Sequence, residues 1–214
     1  MKQALVIIDM QEIFFNYPQN YLFHNEQLVT NINGLIKQTH EKNIQVIFIQ
    51  HTSQNEQDEL FEGKDDWKLH KNLFVSPTDK IIQKSKWDSF YQTELLDYLK
   101  TNEIEQLIFA GAQTEFCLDT TIRAAFSLGY QKNLLFKETH STIDGAILDA
   151  SDIINHHQSI WNNRFLTVID GKIINIKFYY KNKTNHPYLR TVRFIFPNSY
   201  PCFMLALPFP LTLF

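Results

Sequence analysis

Three residues of this 214-residue chain could do chemistry together: Asp9, Lys84 and Cys117. Asp9 directly follows the apolar run Leu5-Val6-Ile7-Ile8, and Lys84 follows Ile81-Ile82-Gln83. Cys117 lies six residues past Gly111, near the expected start of a helix. Each has an ordinary reading: a satisfied turn carboxylate, a solvated lysine, a small buried cysteine. Together they read as an activated nucleophile. A thiol near a helix N-terminus and an ammonium is expected to have its pKa lowered. A carboxylate alongside can take the thiol proton and return it to a leaving group.

The elements around these residues set where they can meet. Short apolar runs at Leu5–Ile8, Val46–Ile49, Gln106–Ala110 and Asn133–Phe136 read as buried strands, with Lys80–Gln83 and Phe165–Val168 as shorter candidates. Between them, Leu28, Ile32, Leu35 and Ile36 fall on one face of a helix opened by Asn25. Thr93 is the expected cap of a helix that turns Leu95, Leu96 and Leu99 inward. Helical patterns also run over Thr114–Leu128, closed by Gly129, and over Leu148–Trp161. Residues 51–80 carry no hydrophobic period and read as a long loop with at most a turn of helix. The alternation predicts an α/β fold, a Rossmann-like three-layer α/β/α arrangement around a mostly parallel sheet of about six strands. In such folds the site lies outside the C-terminal strand ends, where Asp9, Lys84 and Gly111–Cys117 fall.

Composition narrows the class. Net charge is −3, with 44% hydrophobic and 20% charged residues, so nothing favours nucleic-acid binding. Two distant cysteines make neither a disulfide framework nor a four-cysteine zinc site. The N-terminal apolar run is too short for a signal-peptide core, and no stretch is long enough to span a membrane. The expected location is the cytoplasm. Charge is uneven: residues 1–177 carry 16 basic and 23 acidic groups, whereas 178–214 carry four basic and no acidic ones. That last segment also holds ten aromatics and five of the seven prolines. The expected organisation is one α/β domain over 1–177 and an atypical tail over 178–214, either an irregular cover, an assembly element or a non-native extension.

Three segments carry a family resemblance: Leu5-Val6-Ile7-Ile8-Asp9-Met10-Gln11, Lys84-Ser85-Lys86-Trp87-Asp88-Ser89-Phe90-Tyr91-Gln92-Thr93-Glu94-Leu95, and Gly111-Ala112-Gln113-Thr114-Glu115-Phe116-Cys117. Thr120, Ala124 and Gly129-Tyr130 continue the third, and Ile153-Ile154-Asn155-His156-His157 adds a fourth. Over about residues 4–168 the chain resembles the isochorismatase-like cysteine hydrolases, which include nicotinamidases, carbamoylsarcosine amidohydrolases and ureidoacrylate hydrolases. The resemblance implies Asp9 as general acid/base, Lys84 as electrostatic partner and Cys117 as nucleophile. Lys86 competes for the lysine role, but the six-residue spacing to Phe90 fits Lys84. It also implies a cis peptide at Ala112–Gln113, with the N–H groups of Gln113 and Cys117 forming an oxyanion hole.

The implied reaction is hydrolysis of a C–N bond in a small amide, urea or carbamoyl compound through a thioester, with no cofactor. Isochorismate cleavage, a vinyl-ether hydrolysis, needs no thiol and is the less favoured alternative. A catalytically silent protein or a thiol redox protein on the same fold are the others. Nicotinamidases of the family hold zinc or a similar ion on an Asp-x-His pair after the second strand and a further His. Here Gln50-His51-Thr52 stands there, so no metal is expected, with His51 and His70 the residues that could contribute to one. Gln11, Trp67, Trp87 and Phe90 are candidates for the substrate pocket. A homodimer or homotetramer is the expected assembly, as is common in the family.

Overall fold

The computed structural model describes residues 1–170; the predicted tail over 178–214, and the boundary at 177, lie outside the described residues. Six strands form one sheet: β1 (Gln3–Ile8), β2 (Gln45–His51), β3 (Lys80–Lys84), β4 (Gln106–Gly111), β5 (Leu134–His140) and β6 (Thr167–Ile169). Their order is β3-β2-β1-β4-β5-β6, and every pairing is parallel. Order reverses beside β1, which sends connections to either side of the sheet and leaves a crevice at the strand ends.

The central strands β2, β1 and β4 are the ones whose sequences read as unbroken apolar runs. Burial on both faces explains this: Leu5, Val6, Ile7 and Ile8 are solvent-free, as are Ile47, Phe48 and Ile49 and the stretch Leu107–Ala110. Each such side chain contributes about 1.5–3 kcal/mol on burial. The edge strands β3 and β6 are only partly buried, which is why their sequences are less apolar.

Among the described residues five α-helices lie between the strands: α1 (Ile13–Asn16), α2 (Asn25–Glu41), α3 (Leu95–Thr101), α4 (Asp119–Ser127) and α5 (Ala150–Trp161). Leu28, Ile32, Leu35 and Ile36 of α2 are buried, the stripe expected from their spacing. In α3 the cap position belongs to Glu94; the Thr93 hydroxyl accepts from the Leu95 N–H at 3.3 Å and donates to the Ser89 carbonyl at 2.6 Å. Residues 114–128 form no single α-helix. A π-helical turn, Thr114–Leu118, precedes α4, and Gly129 follows it with φ +101°. Hydrophobic periodicity over one turn cannot separate these two helix types.

Candidate active site

Asp9, Lys84 and Cys117 project from three neighbouring positions at the C-terminal end of the sheet. Asp9 is the first residue beyond β1. Its N–H donates to the Ile49 carbonyl of β2 at 2.9 Å, and its backbone turns left-handed with φ +50°. Aspartate tolerates that conformation better than most side chains. Lys84 ends β3 in register with His51 at the end of β2. Cys117 sits in the π-turn after β4, a placement that recurs at functional sites.

Gly111 brings the Asp9 and Cys117 elements close. It pairs with Ile8 across β1 and β4, has φ +116°, and a Cβ there would lie 2.1 Å from the Ile8 carbonyl oxygen. Only glycine meets both conditions. The Ala112 N–H then donates to that same Ile8 carbonyl at 2.9 Å. The Ala112–Gln113 peptide is cis. Thr114 donates its N–H to Ser141 at 3.0 Å, fixing the start of the π-turn to the end of β5.

The Lys84 ammonium is the hub. Its Nζ donates to Asp9 Oδ2 at 2.7 Å and to Cys117 Sγ at 3.1 Å, and lies 3.2 Å from His51 Nδ1. Burial alone would lower the Lys84 pKa, but the Asp9 carboxylate, first by its charge and then by its hydrogen bond, outweighs it and raises it above the ordinary lysine value. The ammonium is therefore charged. Cys117 departs from the expectation of a lowered pKa. Burial first, then the Asp9 carboxylate, push the thiol well up, and Lys84 offsets only part of this. The resting group is thus a thiol beside a carboxylate and an ammonium. Among the described residues no group donates to the buried Asp9 Oδ1, so one carboxylate oxygen is left for the thiol proton.

The other residues singled out in the sequence divide. Gln11 is tied to backbone on two neighbouring segments. Its side-chain amide donates to the carbonyls of His51 at 2.9 Å and Trp67 at 2.7 Å and accepts from the His51 N–H at 2.8 Å, which uses both amide protons. Trp67 is half-buried and donates from Nε1 to the Thr52 hydroxyl at 2.9 Å. Phe90 is half-buried and packs on the hydrophobic core. Trp87 is 56% exposed, with its ring 5.2 Å from that of Phe116, the residue before Cys117. Lys86 is exposed.

The metal question turns on the two histidines. His70 is turned to Glu12: Nδ1 lies 3.0 Å from Oε2, both side chains are buried, and Phe15 stacks on the imidazole at 3.8 Å. The donor atoms of Asp9, His51 and Cys117 lie within 4.8 Å of one another. Lys84 Nζ, however, is in hydrogen-bond contact with a donor atom of each, so an ammonium already fills the place of a cation. These residues do not fit a resident metal. His51, expected only as a possible metal ligand, contacts Lys84 instead. Its register opposite Lys84 was the signal, legible only once β2 and β3 are paired.

A parallel α/β sheet with a thiol, a carboxylate and a lysine at its strand ends defines a class of hydrolase, and the comparisons agree. The isochorismatase domain model matches residues 3–146. The isochorismatase family protein YrdC of Bacillus subtilis is 31% identical over 174 residues, covering 78% of this chain and 91% of its own. The crystal structure of an isochorismatase family protein superposes with a TM-score of 0.73 at 40% identity, covering 78% of this chain and 97% of that one. The ureidoacrylate amidohydrolase RutB of Variovorax paradoxus is 29% identical over 96 residues, 45% of this chain and 38% of its own. The chain belongs to the isochorismatase-like cysteine hydrolase family.

Proposed function

We propose that this protein hydrolyses a C–N bond of a small amide, urea or carbamoyl compound, with Cys117 as nucleophile, Asp9 as general acid/base and Lys84 as electrostatic partner. The observation that carries the reading is the Lys84 ammonium bridging Asp9 at 2.7 Å and Cys117 at 3.1 Å in a buried site. The resemblance to an amidohydrolase supports the bond type.

Because the thiol is held protonated at rest, attack is coupled to proton transfer. The S–H proton passes to Asp9 as sulfur adds to the carbonyl carbon, and Lys84 balances the charge that moves between them. The backbone N–H groups of Gln113 and Cys117 receive the oxyanion. Collapse breaks the C–N bond. Asp9 gives its proton to the leaving nitrogen, and a thioester remains on Cys117. Water then adds to the thioester, passing its proton to Asp9, and the sulfur leaves and is reprotonated from it. Trp87 and Phe90 flank the substrate. A vinyl-ether hydrolysis would leave this thiol without a task.

Acid quench during turnover of carbamoyl amino acids and ureidoacrylate-like compounds tests the reading. The expected result is an acyl adduct on the Cys117 peptide by mass spectrometry, absent from Cys117→Ala, which no longer turns over. Turnover that survives in Cys117→Ala, with no adduct in the wild type, would overturn it.

A further inference from the structure

Lys84 has three N–H groups and three acceptors, and the mechanism above uses two of them. The third, His51 Nδ1 at 3.2 Å, is placed with care. His51 and Lys84 are register partners at the ends of β2 and β3, so their side chains rise from the same face of the sheet. The His51 backbone is held on both sides by one buried amide: its N–H donates to Gln11 Oε1 and its carbonyl accepts from Gln11 Nε2. The Thr52 N–H adds a bond to the Lys84 carbonyl at 2.7 Å, locking the two strand ends together.

An ammonium on four flexible carbons is oriented by the acceptors that its three rotatable N–H groups meet. A third acceptor narrows the orientations that two leave open. His51 can act as acceptor only when uncharged. Burial, then Lys84, hold it below the ordinary histidine range, Lys86 adding to this, against the opposing pull of Asp9 and Asp58.

We propose that His51 is a positioning residue, whose Nδ1 takes the third N–H of Lys84 and so aims the ammonium between Asp9 and Cys117. Its catalytic consequence rests on the reading of Cys117 as nucleophile, but its effect on the thiol does not depend on any substrate.

The test uses the full chain and two variants of nearly equal shape. His51→Asn puts a carbonyl oxygen where Nδ1 stood; His51→Leu removes the acceptor. The rate at which iodoacetamide alkylates Cys117 is followed against pH at the Cys117 peptide by mass spectrometry, with thermal melting to establish folding. The expected result is a profile for His51→Asn close to wild type and one for His51→Leu slowed roughly tenfold and displaced to higher pH, the weight of one hydrogen bond to a charged group. In a Lys84→Met background the same two substitutions should differ by less than about twofold, because the effect acts through Lys84. Equal profiles for Asn and Leu, or a difference that persists without Lys84, would overturn the proposal. If the Leu variant does not fold, His51→Ala takes its place in the comparison. The expected Asn–Leu difference in alkylation, found together with no hydrolysis of any amide, would count against the proposed function and leave this inference standing.

Discussion

Lys84 and Asp9 meet at 2.7 Å across 75 residues of sequence, with both side chains almost wholly out of solvent. Such a pair is costly to split, because the partner left behind is a buried charge. Lys84→Met is expected to lower stability by about 3–5 kcal/mol. It should also lower hydrolysis roughly 10²–10³-fold, the scale of losing a preorganised charge at a reacting centre. Because the folded pKa of Lys84 is raised, its contribution is fully present below the ordinary lysine value and is lost only as pH rises through the higher folded value. Urea unfolding of wild type and variant at neutral pH, beside steady-state rates, checks both figures.

Gly111→Ala tests how the two halves of the site are brought together. The new Cβ would stand 2.1 Å from the Ile8 carbonyl oxygen and 2.6 Å from its nitrogen, both backbone atoms, at φ +116°. Neither atom can step aside, so β4 must withdraw from β1 and carry Cys117 away from Asp9. A loss of more than about 2 kcal/mol is expected. Activity should fall further than unfolding explains, read as kcat measured at a temperature where the variant is still folded.

Gln11→Leu separates a strut from a pocket wall. The change removes three hydrogen bonds that tie β1, the end of β2 and the loop at Trp67. About 2–4 kcal/mol of stability should be lost, at about 1 kcal/mol per bond with a penalty for the groups left unpaired. Limited proteolysis should then cut within residues 52–79 faster than in wild type. A variant that changed KM alone, with unaltered stability and cleavage, would return Gln11 to the pocket.

His140 gives the chain a built-in sensitivity to acid. It is buried, its Nδ1 2.9 Å from the Thr114 hydroxyl and its Nε2 2.9 Å from the Gln158 amide nitrogen. Burial, with His157 nearby, pushes its pKa down to about 3 from an ordinary 6.5. The unfolded chain therefore binds a proton first as pH falls. The neutral imidazole's contribution is complete above about 6.5 and is lost below it at about 1.4 kcal/mol per pH unit. His140→Asn should flatten that slope between pH 6 and 4 in urea titrations, at some loss of stability near neutrality.

The fold was legible where burial is symmetric. Runs such as Leu5–Ile8 and Val46–Ile49 are apolar throughout because helices cover both faces of the central strands. β6 starts two residues and ends one residue later than expected, since Thr167–Ile169 is a half-buried edge with little pattern to read. Asp9, Lys84 and Cys117 were visible as strand-end chemistry, and their meeting follows from the strand order. What sequence concealed depends on partners far along the chain. His70 turns to Glu12, His51 to Lys84, and the Gln11 amide to backbone at His51 and Trp67. The direction of the Cys117 pKa was hidden for the same reason. It is decided by burial and by the Asp9 carboxylate, not by the turn on which the thiol sits.

The central claim is that Cys117 hydrolyses a C–N bond, and ammonia release tests it most directly. Wild type and Cys117→Ala would be compared on nicotinamide, carbamoyl amino acids, ureidoacrylate-like compounds and biuret. Release from at least one of these by the wild type is expected, with none above background from the variant. Release that continues undiminished in Cys117→Ala would contradict the claim.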